Sequence, residues 1–597
     1  MTSPQQRFVF SPTPCDQRSP GLQDARGDTV WTPLISCPAQ FPVELFADAG
    51  QQLVDHPEYN STLILRSETL TELLPESGEL PQAIPRLRGT FVLKSTLRKL
   101  LPRRPGRDGS VDQHCTMYAI EGHHGASILI LTPLPDQAGS LPYYHPQVFH
   151  IAFRYLPSPA SDPHDGVNAA PSARLQVEVV AFPNVPLDPN SRVYRTCLAL
   201  LETLHRYGWG AMTSYKKRVN HDRIIPREEY QDLYLLMRER HKHHVDSWQE
   251  STDPLKHVFE DIGIATFLIL LWKKMFNVDR TGAPIGTNDP RTRDGVRNSY
   301  NARDEDGSPP WFSWPGPPGG FIDLGCGNGL LVHILLSEGY QGFGVDVRAR
   351  TSWSHYPLST QRHLHVKALD PTLSLTGADP GTIVSDLTIA ETPPSIEPDT
   401  DPSGSLQCSQ KEKDDQAPSP LQIPRGVFVI GNHADELTPY VPILSIMYGA
   451  SGYLNIPCCP WDLDQKFSRA NSEQYPLPGC DIDDNDGPGE VSAGTRVGDT
   501  MAGDDRWIES LNLGGDGKFT SSYSVYRIWL ARLTSWCGWE TETEVLRIPS
   551  TRNWALVGRK RRRREEVSRQ RVEEILTKVR EREVFAVRRP EGRQGDH

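Results

Sequence analysis

From Phe321 onward, short apolar runs and amphipathic stretches alternate along the chain. FIDLG reads as a buried strand, GLLVHILLSEG as a short helix and GFGVDV as a second strand. HLHVKAL (363–369) and GVFVIGN (426–432) supply further strands, and DELTPYVPILSIMYG carries helical spacing despite two prolines. GYLNIPC (452–458) is another strand. SYSVYRIWLARLTSWCG (522–538) has apolar residues at helical spacing and stops at Gly538. EVLRIPS and NWALVGR (544–559) form a closing strand pair, whose short turn makes it the antiparallel edge. Strands alternating with helices predict an α/β fold with a Rossmann-like, doubly wound, mostly parallel sheet.

Polar stretches divide this pattern. Residues 391–420 and 471–506 are rich in Pro, Ser, Gly and Asp and read as disordered, solvated insertions between core elements. A third polar stretch, 278–319, ends in the stiff sequence WPGPPGG and reads as a linker. We therefore expect a partly disordered amino-terminal segment (1–80), an α+β accessory region (81–277), a catalytic domain (320–560) and a charged helical tail (561–597). The longest apolar run, Ile262–Trp272, is 11 residues and too short to span a bilayer. The amino terminus has no apolar core or cleavage site, so we read no signal peptide. Ten cysteines are scattered without a Cys-x-x-Cys pair, which suits a reducing compartment and suggests no metal.

The net charge of −12 argues against nucleic-acid binding only if it is spread evenly. It is not: the two acidic insertions carry −5 and −7, and the rest of the chain is formally neutral. Residues 86–107 hold eight bases and no acid, and Tyr215-Lys216-Lys217-Arg218 heads a second basic cluster. Such patches suit RNA phosphates, while each alone also fits a solvated charged face. The tail from Arg559 is compatible with a nuclear-localisation signal, an RNA-grasping helix or a plain solvated helix.

Asp323-Leu324-Gly325-Cys326-Gly327-Asn328-Gly329 sits between a predicted strand and helix. Glycines there let a ligand approach the backbone, and the helix amino terminus offers free N–H groups. Two acids sharpen the motif. Asp323 precedes the first glycine where a carboxylate can meet an amino-acid ammonium, and Asp346, 23 residues later, ends the next strand where it can accept ribose hydroxyls. No Walker lysine is present. This constellation fits S-adenosylmethionine, with Asp323, Gly325, Gly327, Asn328, Gly329, Asp346, Arg348 and Asn432 as the cofactor-binding candidates.

The second ligand is expected beside the switch point, at Gly431-Asn432-His433-Ala434-Asp435-Glu436. Transfer to a hydroxyl needs a base, and His433, Asp435 and Glu436 are candidates for base or hydroxyl orienter, with Arg552 counted among the catalytic candidates. Asp435 also fits a simple helix cap. Between the closing strands, Arg547, Ser550, Arg552 and Asn553 suit phosphate or uracil contacts, as do Lys216, Lys217 and Arg218 upstream. Cys458 or Cys459 would suit attack on a pyrimidine carbon-6, as carbon-5 methylation requires, although a small buried residue is the commoner use of cysteine there.

With these residues in view, the chain resembles the eukaryotic tRNA uracil-2′-O-methyltransferases. The resemblance lies in FIDLGCGNGLLVHILLSEGYQGFGVDVRARTSW (321–353), GNHADELTPYVPIL (431–444), NIPCCPWD (455–462) and LRIPSTRNWALVGR (546–559). Upstream it extends to LLPRRPGRDGSVDQHC (100–115), YKKRVNHDRIIP (215–226) and DPLKHVFEDIGIATFLILLW (253–272). It implies a class I methyltransferase sheet, S-adenosylmethionine held by the Asp323 loop and Asp346, and a cytoplasmic enzyme. It also implies a substrate: the ribose 2′-hydroxyl of the uridine between anticodon stem and variable arm, position 44, of serine tRNA. Carbon-5 methylation of an RNA pyrimidine, or a non-catalytic tRNA-binding module on the same fold, are the competing readings.

Overall fold

The structure is a computed structural model that describes residues 9–586 except 17–20, 26, 28, 75–79, 105–106, 123–124, 136–139, 158–172, 214–218, 278–308, 373–422, 469–474, 476–504 and 514–520. The chain forms two compact units, Met1–Lys216 and Lys217–His597. Among the described residues no helix is long and apolar enough to cross a membrane.

The first unit is an eight-stranded antiparallel sheet with two helices. In chain order it contains β1 (Thr13–Pro14), β2 (Thr32–Pro38), α1 (Phe46–Asp55), β3 (Ile64–Leu73), β4 (Thr90–Pro102), β5 (Val111–Ile120), β6 (Ile128–Leu134), β7 (Val148–Leu156), β8 (Arg174–Ala181) and α2 (Arg192–Met212). The strand order is β1-β2-β8-β7-β6-β5-β4-β3. Every second residue of the central strands (Cys115 and Met117, Leu129 and Leu131, Ile151 and Phe153, Leu175 and Val177) is buried in one cluster with Val193, Cys197, Leu201 and Leu204 of α2. That period of two puts them on one face of the sheet. Gly208 allows α2 its close approach, because a Cβ there would lie 2.3 Å from the Phe41 ring.

Two expectations change here. Residues 1–80 are not a separate segment, since β2 and β3 lie within the sheet. The basic stretch 86–107 is largely strand β4, and several of its bases are engaged internally. Arg98 is buried and donates to Gln113 at 2.7 and 3.1 Å, Lys94 donates to Gln51 at 2.6 Å, and Lys99 stands 3.8 Å from Asp112. Alternation along a strand sends neighbouring bases to opposite faces, so the run does not make one continuous patch.

The second unit is built on a seven-stranded sheet. Its strands are β9 (Phe321–Leu324), β10 (Gly342–Asp346), β11 (Leu364–Val366), β12 (Phe428–Asn432), β13 (Gly452–Ile456), β14 (Glu542–Val545) and β15 (Trp554–Gly558), in the order β11-β10-β9-β12-β13-β15-β14. The first five are parallel, and β15 joins β13 and β14 antiparallel, as the closing hairpin predicts. Its helices are α3 (Arg227–His241), α4 (Pro254–Phe276), α5 (Leu330–Ser337), α6 (Leu358–Gln361), α7 (Tyr440–Met447), α8 (Ser522–Trp536) and α9 (Glu565–Arg582). Residues of α3, α4 and α5 share a core with Phe321, Phe428 and Leu454. Residues of α7, α8 and α9 share the other, with Ile322, Val429 and Tyr453. Since neighbouring strand residues point to opposite faces, the sheet is covered on both.

The division of the chain falls at Lys216 rather than within 278–319. The physical reason is α4, whose run Ile262–Trp272 is wholly buried and whose Trp272 ring lies 6.0 Å from Phe321 and 5.6 Å from Phe428. Residues 278–308 of the expected linker and the whole insertion 391–420 lie outside the described residues, as does 471–506 apart from Tyr475, Asp505 and Arg506. Trp311, beyond the linker's undescribed part, is buried and donates to Glu338 at 2.8 Å. The charged tail is helical, as expected, and of its three open readings the plain solvated helix does not hold: Val572, Ile575, Leu576 and Val579 of α9 are buried in the second core.

Candidate active site

The connections leave β9 in one direction along the sheet and β12 in the other, which opens a crevice at their carboxyl ends. A cavity of about 600 Å³ lies there, lined by Asp323, Gly325, Gly327, Asn328, Asp346, Arg348, Asn432, His433, Asp435 and Glu436. Ten residues named from sequence as catalytic or cofactor candidates thus meet in one place.

The loop after β9 needs its glycines. Gly325, Gly327 and Gly329 have φ of 72°, 53° and 78°, left-handed values that a Cβ penalises. Gly329 sits behind the cavity as the cap of α5, where a Cβ would come within 3.2 Å of the Trp353 indole nitrogen. The Asn328 side chain accepts from Leu330 N at 2.7 Å, so it satisfies a free donor of α5. Asp346 ends β10 and accepts from Gly327 N at 2.9 Å and Arg348 N at 3.2 Å, which ties the loop to the next strand.

Four carboxylates, Asp323, Asp346, Asp261 and Glu260, line the cavity beneath these turns. Burial, with the nearby charge of Asp346, pushes the Asp323 carboxyl up to about 8. Burial, with Glu260 and Asp323 beside it, raises Asp261 well above the usual carboxylate range. Asp323 Oδ1 and Asn432 Oδ1 are buried without a hydrogen-bond partner. A buried acid cluster with an orphaned acceptor fits a cationic ligand, since an incoming ammonium would restore the missing hydrogen bond and favour the ionised acid. The residues present therefore suit the ammonium and ribose of S-adenosylmethionine.

The turn after β12 is strained. His433 and Asp435 have φ of 55° and 44°, unusual for residues other than glycine and frequent at functional sites. His433 Nε2 lies 3.0 Å from Glu260 Oε1, and Asn432 Nδ2 donates to Asp261 Oδ1 at 3.4 Å. Burial works to raise the Glu260 carboxyl, but the His433 hydrogen bond and charge, aided by Ser550 and Lys256, leave it below the usual range. An ionised carboxylate can only accept, so the neutral imidazole must carry its proton on Nε2. Nδ1 then holds the lone pair, buried and without a protein partner.

Cys458 offers the opposite of a reactive thiolate. Its Sγ donates to Asp435 Oδ1 at 3.4 Å, and burial together with the Asp435 charge pushes the thiol far up. Cys459 is exposed, and Asp435, Cys458 and Cys459 hold one ligand atom each within 4.8 Å of one another.

The β14–β15 loop places its residues differently from the simple expectation. Arg547 is a bidentate partner of Asp222, at 2.7 Å through both nitrogens, and Asn553 Nδ2 donates to Leu546 O at 2.9 Å. Both shape the loop. Arg552 is away from the cavity lining, its guanidinium 3.9 Å from the Tyr523 ring centre. Ser550 reaches the site through Glu260. Lys216, Lys217 and Arg218 lie outside the described residues.

His257, Glu260 and Asp261 were not singled out as site residues from sequence, yet all three line the cavity. They come from the start of α4, a helix far upstream of the glycine loop. The sequence signal is a Glu-Asp pair directly before an eleven-residue apolar run, which marks the acids as unusual without placing them at the site.

Comparison with known proteins gives the family. Residues 10–218 match the family model described as "TRM44-like, N-terminal bet v1-like domain". Residues 224–287 and 315–371 match "Predicted AdoMet-dependent methyltransferase". The tRNA (uracil-O(2)-)-methyltransferase of Neurospora crassa is 30% identical, over 90% of this chain and 88% of its own. The Schizosaccharomyces pombe protein of the same name is 30% identical over 92% and 88%, and the Saccharomyces cerevisiae one 26% over 86% and 84%. No solved structure matches. With that identity sustained over most of both chains, this protein belongs to the tRNA (uracil-O(2)-)-methyltransferase family, whose methyl donor is S-adenosylmethionine.

Proposed function

We propose that this chain methylates the ribose 2′-hydroxyl of uridine 44 in serine tRNA, in the cytoplasm, on a Rossmann-like class I methyltransferase sheet. The observation that carries the reading is the His433–Glu260 pair at 3.0 Å, set in the same cavity as the Asp323 loop. When bound, S-adenosylmethionine supplies a methyl group made electrophilic by its sulfonium. Asp323 would hold its ammonium and Asp346 its ribose hydroxyls, with the glycine loop giving close backbone approach.

A ribose hydroxyl is a weak nucleophile until its proton leaves. His433, held by Glu260 through Nε2, takes that proton on Nδ1 and frees the oxygen to attack the methyl carbon, whose bond to sulfur would break to leave S-adenosylhomocysteine. The positive charge that develops on the imidazole is balanced by the Glu260 carboxylate. Asp435 and Glu436 border the same space and orient the hydroxyl. Ser550 and Arg552 contact the RNA from the β14–β15 loop, while Arg547 and Asn553 hold that loop in shape. Lys216, Lys217 and Arg218 contribute phosphate contacts.

Mass spectrometry of nucleosides tests this reading, comparing serine tRNA from wild-type cells and cells lacking this chain. Loss of 2′-O-methyluridine from serine tRNA supports it. An unchanged level of that nucleoside sinks it.

A further inference from the structure

The segment that follows α9 returns to the cofactor cavity. Phe585 and Ala586 line it, although both stand in the charged tail beyond the last strand. Several independent contacts hold them there. Val572, Ile575, Leu576 and Val579 seat α9 in the core that also contains Tyr440. At the end of the helix, the Arg580 guanidinium donates to the Thr372 carbonyl at 2.7 Å, just past β11. Arg582 pairs at 3.0 Å with the buried carboxylate of Asp464, past β13. The helix end is thereby tied to chain beyond both of these strands. Glu583 then takes a left-handed conformation, with φ of 53°, and ends the helix. The Phe585 ring lands edge-on against Tyr440, with ring centres 5.7 Å apart.

The chemistry of the cavity changes along the sheet. At β9 and β12 it is polar and acidic, with Asp323, Asn432 and Asp261. Asp346 follows at β10. Lys367 and Leu369 follow β11 and Leu437 follows β12, and Leu369, Leu437 and Phe585 pack on the same core, so together they give the cavity an apolar part. A ligand whose ammonium meets Asp323 and whose ribose meets Asp346 must point its base toward this apolar part. A purine is flat and apolar on its faces, and an aromatic ring is the side chain suited to cover it.

We propose that Phe585 and Ala586 are a wall of the cofactor site and that the Phe585 ring is a contact surface for the adenine of S-adenosylmethionine. The proposal rests on the assignment of the cavity to that cofactor. It gives the carboxyl-terminal helix a definite task, which is to deliver one aromatic side chain to a pocket built by distant strands.

The test is calorimetric titration of the full-length protein with S-adenosylhomocysteine, for wild type, Phe585→Ala and Phe585→Trp. Wild-type binding that Asp346→Ala weakens assigns the ligand to this cavity independently of the tail; no wild-type binding, or binding that Asp346→Ala leaves unchanged, would remove the assignment on which the proposal stands. We expect Phe585→Ala to weaken binding by about tenfold, in line with the loss of one base–aromatic stack, and Phe585→Trp to keep it. Wild-type affinity in the alanine variant overturns the proposal. Thermal unfolding without ligand accompanies the titration, and the alanine variant is expected to melt as wild type does. If it melts lower, Phe585→Trp decides: its added fluorescence, relative to wild type, should change on ligand addition, and an unchanged signal overturns the proposal.

Discussion

Glu260 Oε1 lies 3.0 Å from His433 Nε2, joining the first turns of helix α4 to the strained end of strand β12. The pair fixes which imidazole nitrogen can accept a proton, and it does so with a buried carboxylate held ionised. Replacing Glu260 by Gln removes the charge and lets the opposite tautomer form. The expected result is a fall in kcat of about 100-fold, within the usual span for disturbing general-base catalysis, with cofactor affinity within about twofold of wild type. Single-turnover rates and calorimetry on the same preparation measure both, and an unchanged kcat removes Glu260 from the mechanism.

Asp323 predicts a pH dependence whose sign can be worked out. Its folded carboxyl titrates at about 8, while an unfolded Asp titrates at about 3.9. Between those values the folded protein holds a proton that the unfolded chain releases, so this group's contribution to stability falls as pH rises through the window. A cationic cofactor favours the ionised acid. Binding at pH 7 should therefore release a proton, and affinity should rise with pH toward about 8. Calorimetry in two buffers of different ionisation enthalpy counts the proton, and Asp323→Asn should abolish its release. Equal heats in both buffers for wild type contradict the assignment.

Asp346 accepts the Gly327 amide and closes the glycine loop against β10. Asp346→Ala should weaken cofactor binding by about 10- to 100-fold, as expected for losing charge-assisted hydrogen bonds, and leave tRNA affinity nearly unchanged. Parallel loss of both affinities would make Asp346 a folding residue.

The Cys458 thiol donates to Asp435 and is kept protonated by its surroundings. The double variant Cys458→Ser, Cys459→Ser should therefore retain methyl transfer to within a few-fold, and a fluorinated pyrimidine in the RNA should trap no covalent adduct. Loss of activity in that variant, with the fold intact by circular dichroism, would bring the cysteines back into the chemistry.

The part of the site carried by contiguous residues was legible in the chain. Asp323, the three glycines and Asp346 act through local geometry, a strand-to-helix turn and the next strand end, and the left-handed glycines are the reason the pattern cannot drift. Glu260 and Asp261 were not legible as site residues, because their role depends on α4 packing against strands that begin some 45 residues after it ends. Arg547 read as an RNA contact, and only the fold brings Asp222 within reach of it. The tail was legible as a helix, but its role stayed open for a simpler reason. Its dense charge hides an apolar stripe at Val572, Ile575, Leu576 and Val579, the i, i+3, i+4, i+7 pattern of a helix that packs on one side. The amino-terminal region was expected as α+β, but its individual strands and its start before residue 81 were not read, because their alternation is spread over long strands separated by irregular polar stretches.

The central claim is that the methyl group goes to a ribose oxygen, with His433 removing the proton. The most direct measurement is methyl transfer from labelled S-adenosylmethionine by purified protein to two serine tRNAs that differ at position 44 alone, one with uridine and one with 2′-deoxyuridine. The account predicts transfer to the uridine substrate, strongly reduced by His433→Ala, and none to the deoxyuridine substrate at equal tRNA affinity. Label incorporated into the deoxyuridine substrate would place the methyl group on the base and contradict it.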